Sequence, residues 1–207
     1  MIGYYNYTVI LTYLSLLSAI FGTQLAFNGQ SKYALICLFM CGAFDAFDGI
    51  VARSKKDRTV EEKKFGIQID SLVDMFSFGV FPTFIAYAMG LKGIGWFVVF
   101  SLYSIGAVSR LGYFNVSEEM RQQQTTEKRK YYQGLPVTVS ALIFPTIYLI
   151  LTMLNLSSST FLMVYGASML VVAVAFVTDF KVFKPGLKGI LAMGVVGIAV
   201  MIGLLML

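Results

Sequence analysis

Asp45-Ala46-Phe47-Asp48-Gly49-Ile50-Val51-Ala52-Arg53 is followed, after a charged stretch, by Gly66-Ile67-Gln68-Ile69-Asp70-Ser71-Leu72-Val73-Asp74. Four of the 11 acidic residues of the chain therefore lie in two otherwise apolar segments. A carboxylate at membrane depth costs several kcal/mol unless something compensates it, so it marks a functional site by default. On a helix, residues three or four apart share a face. Asp45 and Asp48 are spaced i,i+3, with Ala52 extending their stripe, and Gly66, Asp70 and Asp74 are spaced i,i+4,i+8. Counted from Arg53, Asp48 and Asp45 lie roughly 8 and 12 Å into one span at 1.5 Å per residue. Counted from Gly66, Asp70 and Asp74 lie roughly 6 and 12 Å into the next. The two pairs can therefore meet at one level, just under a membrane surface.

The rest of the composition agrees with a membrane class. Of the 207 residues, 57% are hydrophobic and 13% charged, and the mean hydropathy is +0.76. A spanning helix needs about 20 apolar residues. Seven such segments are expected, at about 7–27, 33–53, 66–89, 93–114, 134–154, 160–180 and 186–207, giving an all-α polytopic bundle. The seventh is rich in Gly, with Lys188 near its start. Residues 1–207 read as one integral membrane domain, with no separate soluble part and a first span that is retained rather than cleaved.

Fourteen of the 16 basic residues fall on one side if the N-terminus is cytoplasmic; only Lys32 and Lys92 fall opposite. The positive-inside rule then places the N-terminus and the even loops in the cytoplasm. The carboxylates face the same side, in what reads as a prokaryotic cell membrane. The net charge of +5 becomes a surface facing anionic lipid or phosphorylated substrate rather than nucleic acid. Within it, the run Arg121 to Lys130 reads as a solvated loop face whose Lys128, Arg129 and Lys130 could draw in anionic lipid. Cys37 and Cys41, one helical turn apart, read as small packing residues.

Two carboxylates about 4–5 Å apart repel by roughly 3–4 kcal/mol at an effective dielectric of 20. Four could not all ionise without cations. An oxygen-only donor set suits hard divalent ions, Mg²⁺ or Mn²⁺, with two expected and positions left open for phosphate oxygens. Gly49, Ala52 and Gly66 would let a nucleotide or diphosphate approach the helix backbones. Arg53 carries a guanidinium that matches phosphate oxygens bidentately. A cation or proton transporter is the competing class, but a conduction path would spread acids through the bilayer, and these four cluster at one end.

The eight ordered positions Asp45, Asp48, Gly49, Ala52, Arg53, Gly66, Asp70 and Asp74 resemble the signature of the CDP-alcohol phosphatidyltransferase family. The twelve residues Ser54 to Phe65 make a longer spacer than the family usually has. The resemblance implies displacement of CMP from CDP-diacylglycerol by a small alcohol. It further implies that Asp45, Asp48, Asp70 and Asp74 ligate metal, with Asp74 also acting as the catalytic base. Asp48, Gly49, Ala52, Arg53 and Gly66 would contact the CDP moiety. Residues 70–82, Arg110-Leu111-Gly112-Tyr113-Phe114-Asn115 and Tyr132-Gln133-Gly134-Leu135-Pro136-Val137-Thr138 resemble the phosphatidylserine synthase branch. That points to L-serine as acceptor, with Arg110 for its carboxylate and Asn115 as hydrogen-bonding neighbour. Glycerol phosphate, inositol phosphate or another small alcohol are the alternatives within the family. A six-span core, with segment 186–207 as an additional C-terminal helix, and a homodimer are further implications, and Ala199 and Gly203 would permit close helix contact.

Overall fold

A computed structural model describes residues 2–124, 131–183 and 186–207. Lys128, Arg129, Lys130 and Lys184 lie outside the described residues. Among the described residues the chain is all-α apart from one short strand pair. The helices are α1 (Ile10–Phe27, entered through a 3-10 turn at Tyr7–Val9), α2 (Ser31–Ser54), α3 (Val60–Asp74), α4 (Phe81–Met89), α5 (Ile94–Gln124), α6 (Ser140–Met153), α7 (Ser158–Val177) and α8 (Leu187–Met206). Among the described residues, five helical stretches are long and apolar enough to cross a membrane: Tyr7–Phe27, Ser31–Ser54, Val60–Met89, Ile94–Arg121 and Ser158–Val177. The fifth and seventh expected spans appear as shorter apolar helices, Val137–Met153 and Leu191–Met206.

α1 and α2 form a hairpin because their facing residues are small. The buried positions of α1 are Thr12, Ser15, Ala19, Gly22 and Ala26, alternating three and four apart. A Cβ on Gly22 would stand 2.7 Å from Cβ of Cys37, so only glycine lets the helices approach this closely. Ser18 donates to the Cys37 carbonyl at 3.0 Å and Cys41 to the Ser15 carbonyl at 3.3 Å, which gives both cysteines a packing role.

The third span is one 30-residue stretch with a π-helical segment, Met75–Val80, between α3 and α4. Pro82, at the start of α4, lacks an N–H, and its ring cannot share space with the carbonyl four residues back. In hydrocarbon, a freed backbone carbonyl needs another donor. α5 supplies two: Tyr103 donates to the Phe78 carbonyl at 2.7 Å and Ser104 to the Gly79 carbonyl at 2.8 Å. The irregular turn thus begins one residue after Asp74 and is stitched to α5.

The third helix starts at Val60, earlier than the expected 66, because Thr59 and Glu62 form a reciprocal capping box. Thr59 accepts from the Glu62 N–H at 3.2 Å, and the Glu62 carboxylate accepts from the Thr59 N–H at 3.0 Å. Half of the long spacer is therefore helix, and the connection shrinks to residues 55–59. Beyond the helices, β1 (Tyr131–Gln133) pairs antiparallel with β2 (Lys181–Phe183), a ribbon the periodicity does not announce. The buried core joins Tyr103, Phe144, Tyr165 and Phe176, with ring centroids 5.3 to 5.7 Å apart along the chain of contacts.

α8 packs on α2 and α6. Gly197 receives the Phe39 ring, and Gly203 receives Leu149, whose Cδ2 is 2.8 Å from where a Cβ would be. Gly203 is thus engaged inside the chain rather than displayed to a second copy. Lys32 lies over the Tyr33 ring at 5.1 Å and Lys92 over the Tyr87 ring at 5.6 Å. Such amphipathic pairs suit a membrane interface.

Candidate metal and nucleotide site

α2 and α3 bring three of the four aspartates to one point. Asp45, Asp70 and Asp74 each offer a carboxylate oxygen, and these oxygens lie within 4.8 Å of one another. Asp74 is the most enclosed, 8% exposed. Asp48 sits one turn nearer the helix end, within hydrogen-bonding reach of Asp70, and accepts from Thr12 of α1 at 3.4 Å. Beneath the cluster, Ser15 of α1 and Ser77 of the π segment meet at 3.4 Å. Thr12 and Ser15 are site neighbours that the acidic motif does not contain. Both lie on the buried face of α1, which the structure and not the sequence defines.

The donor set can be tested against a metal ion. Three carboxylates at this separation repel pairwise by about 3–4 kcal/mol even at an effective dielectric of 20. Among the described residues, no Lys or Arg forms an ion pair with Asp45, Asp48, Asp70 or Asp74. Oxygen-only ligands with no ion-paired cation among the described residues fit a hard divalent cation.

The small residues lie on the outer turns beside the acids. Arg53 folds back along its own helix, placing Nη1 3.3 Å from where a Cβ on Gly49 would be. Across the connection, Arg58 lies against Gly66 and donates to the Ala52 carbonyl at 3.4 Å. Lys55 bridges Glu62 at 3.2 Å and Asp57 at 3.5 Å, and Asn6 donates to Glu62 at 3.0 Å, tying the N-terminal turn to α3. The Glu62 carboxylate holds the Lys55 ammonium above its ordinary pKa.

The two residues expected to hold an acceptor do not converge. Asn115 faces α3 and donates to Ser71, next to Asp70, at 2.7 Å. Arg110 points toward the other side of α5, is 5% exposed, and donates from Nε to the Leu135 carbonyl at 3.3 Å. It lines a cavity of about 350 Å³ together with Ser109, Tyr113, Gln133, Thr178 and Asp179. Tyr113 donates to Gln133 across this cavity at 2.6 Å.

The sequence model of the CDP-alcohol phosphatidyltransferase family matches residues 5–178. The CDP-diacylglycerol–serine O-phosphatidyltransferase of Saccharomyces cerevisiae is 36% identical over 121 residues, 58% of this chain and 42% of that protein. The archaetidylserine synthase of Methanothermobacter thermautotrophicus is 32% identical over 142 residues, 68% of this chain and 56% of that one. The CDP-diacylglycerol–serine O-phosphatidyltransferase of Mycobacterium tuberculosis is 29% identical over 133 residues, 63% of this chain and 44% of that enzyme. The chain spans about half the length of the curated relatives it matches.

Proposed function

Because the chain belongs to the CDP-alcohol phosphatidyltransferase family, we propose that it transfers the phosphatidyl group of CDP-diacylglycerol to L-serine, giving phosphatidylserine and CMP. The observation that carries this reading is the convergence of Asp45, Asp70 and Asp74 at the end of two spans, flanked by Gly49, Ala52 and Gly66. Serine as acceptor is supported by relatives whose names specify phosphatidylserine or archaetidylserine synthesis.

Asp45, Asp48, Asp70 and Asp74 would hold the divalent ions, Mg²⁺ or Mn²⁺. When bound, such ions supply neutralisation of the diphosphate charge and stabilisation of the leaving and attacking oxygens. The protein residues position and move protons around that chemistry. Asp74, the most enclosed carboxylate, takes the proton of the serine hydroxyl as its oxygen bonds to the lipid-side phosphorus. The bond from that phosphorus to the bridging oxygen of CMP breaks, and CMP leaves carrying the electron pair. Gly49, Ala52 and Gly66 keep the helix faces low enough for the nucleotide. Arg53 binds phosphate with its planar fork. Arg110 docks the incoming serine by its carboxylate in the separate cavity, where Asp179 offers an opposite charge for the ammonium group, before the hydroxyl reaches Asp74. The site faces the cytoplasm, where the basic loops lie.

The test is CMP release by purified protein with CDP-diacylglycerol and a divalent cation, acceptor by acceptor. Release with L-serine, abolished by a chelator, is the expected result. Release with glycerol phosphate or inositol phosphate instead would move the acceptor while keeping the chemistry. No release with any acceptor would return the four aspartates to an ion-pathway reading.

A further inference from the structure

Arg58 stands outside the eight-position signature, yet its guanidinium lies between two of the signature's small residues. Nη1 donates to the Ala52 carbonyl at 3.4 Å, and Nη2 donates to the Glu62 carbonyl at 3.1 Å. Nη2 also fills the hollow left by Gly66, 2.5 Å from where a Cβ would stand. Nε is buried and has no hydrogen-bond partner among the described residues. No carboxylate pairs with Arg58 among those residues, whereas its neighbour Lys55 is held by Asp57 and Glu62. The acids of the connection are thus spent on the lysine, and the arginine is left to neutral carbonyls.

We infer that Arg58 is a second diphosphate-binding arginine, turning from the Ala52 and Glu62 carbonyls to the phosphates of a CDP-linked lipid. This rests on the function proposed above and adds a binding residue to that site. Three features favour it. The hollow beside Gly66 is occupied by the movable end of a side chain, so a ligand can enter by a rotation of Arg58 without backbone displacement. The Nε and Nη2 edge is a part of the fork that binds oxyanions bidentately, as Arg121 does with Glu118. Here Nε is unpartnered among the described residues, and Nη2 makes one bond, at 3.1 Å, to the neutral Glu62 carbonyl. Exchange of bonds to neutral carbonyls for charge-assisted bonds to phosphate is favourable, because the latter are shorter and stronger. The backbone holds the side chain in place for this exchange, since Arg58 directly precedes the Thr59 cap of α3.

The experiment compares wild type with Arg58→Ala, Arg58→Gln and Arg58→Lys on two separate readouts. The first is steady-state CMP release, varying CDP-diacylglycerol and L-serine in turn. The second needs no turnover: the rise in unfolding temperature produced by CDP or by CMP in the presence of Mn²⁺. Arg58→Ala and Arg58→Gln are expected to raise the KM for CDP-diacylglycerol by about tenfold or more, with the KM for serine unchanged. They should lose most of the CDP-induced shift, and Arg58→Lys should fall between them and wild type because it keeps charge without the fork. Folded Arg58→Ala or Arg58→Gln protein with a wild-type KM for the lipid and a wild-type CDP shift overturns the inference. An equal change in both KM values with a lowered unfolding temperature and a CDP-induced shift as large as in wild type also overturns it by making the role purely structural. If wild type binds CDP but releases no CMP with any acceptor, the catalytic reading fails by itself. The CDP shift then decides Arg58 alone: its loss in the variants supports the inference and its retention overturns it.

Discussion

Two buried charged places in this protein are handled in opposite ways. Between α2 and α3, three carboxylate oxygens crowd within 4.8 Å, and no Lys or Arg pairs with them among the described residues. Between α5 and α7, the cation Arg110 is 5% exposed, bonded to the Leu135 carbonyl and set 5.8 Å from the Phe114 ring centroid. A buried charge with internal partners contributes to the fold whatever else it binds. A cluster of like charges opposes the fold until a ligand of the other sign arrives. The contrast separates chemistry from architecture, and it can be broken by experiment.

The largest effects belong to the acidic cluster. Asp74→Asn should lower kcat for CMP release by at least about 10²–10⁴-fold, the usual contribution of a positioned proton acceptor. The same change should not destabilise metal-free protein, since it relieves repulsion of about 3–4 kcal/mol per pair. Wild type should gain about 2.7 kcal/mol at a divalent concentration of 100 times Kd, seen as a rise of several degrees in unfolding temperature. Asp45→Asn and Asp70→Asn should lose most of that gain. Calorimetry with and without a chelator checks it, and a wild type indifferent to Mg²⁺ and Mn²⁺ would break the comparison.

Arg110 comes next and should answer in the reverse manner. Arg110→Ala leaves the Leu135 carbonyl without its donor, a loss of about 1–3 kcal/mol of stability. If the cavity takes serine, the KM for serine rises about tenfold or more, as one charge-assisted bond is lost, with the KM for CDP-diacylglycerol unchanged. A fall in stability with an unaltered KM for serine would make Arg110 wholly architectural and sharpen the contrast.

The two places also differ in how far the sequence exposes them. The acidic site was legible because acids in apolar helices are rare and the i,i+3 and i,i+4 spacings put them on common faces. The seven apolar segments were legible for the same reason of composition. Thr12 was not, since a threonine in a span has no signal until the buried face of α1 is known. The π turn after Asp74 depends on which hydroxyls of α5 come opposite Phe78 and Gly79, a tertiary fact. Arg110 and Asn115 look like neighbours at five residues apart, but five residues is about 140° around a helix. They therefore face α7 and α3 respectively. The pairing of residues 131–133 with 181–183 joins segments about 50 apart, beyond any local pattern. Against this, Thr59-x2-Glu62 did announce the start of α3, and the apolar-segment criterion passed over it because residues 61–64 are all charged.

A smaller effect tests the link between the site and its neighbour helix. Tyr103→Phe removes the donor to the Phe78 carbonyl without changing the ring that packs on Phe144 and Phe176. Hydrogen bonds between membrane helices average about 0.6 kcal/mol and reach about 1.7. The variant should lose stability in that range, read by unfolding in detergent. Because the freed carbonyl lies in the turn directly after Asp74, kcat should fall as well, while both KM values hold. A kcat equal to wild type would detach the π segment from the chemistry.

The smallest effect belongs to the cap of α3. Thr59→Ala removes the hydroxyl oxygen that accepts from the Glu62 N–H, at a cost of about 1 kcal/mol. The first turns, residues 60–65, carry the exposed and charged part of the helix, whereas Asp70 and Asp74 begin more than two turns further on. Fraying should therefore stop short of the carboxylates. Hydrogen exchange should accelerate at residues 60–65, with residues 70–80 protected as in wild type. Loss of a cap worth about 1 kcal/mol should leave kcat within about twofold of wild type, since it moves no carboxylate. A larger fall in kcat would mean that the order of the acidic cluster is imposed from the connection, and not by the packing of α1 and α5 around it.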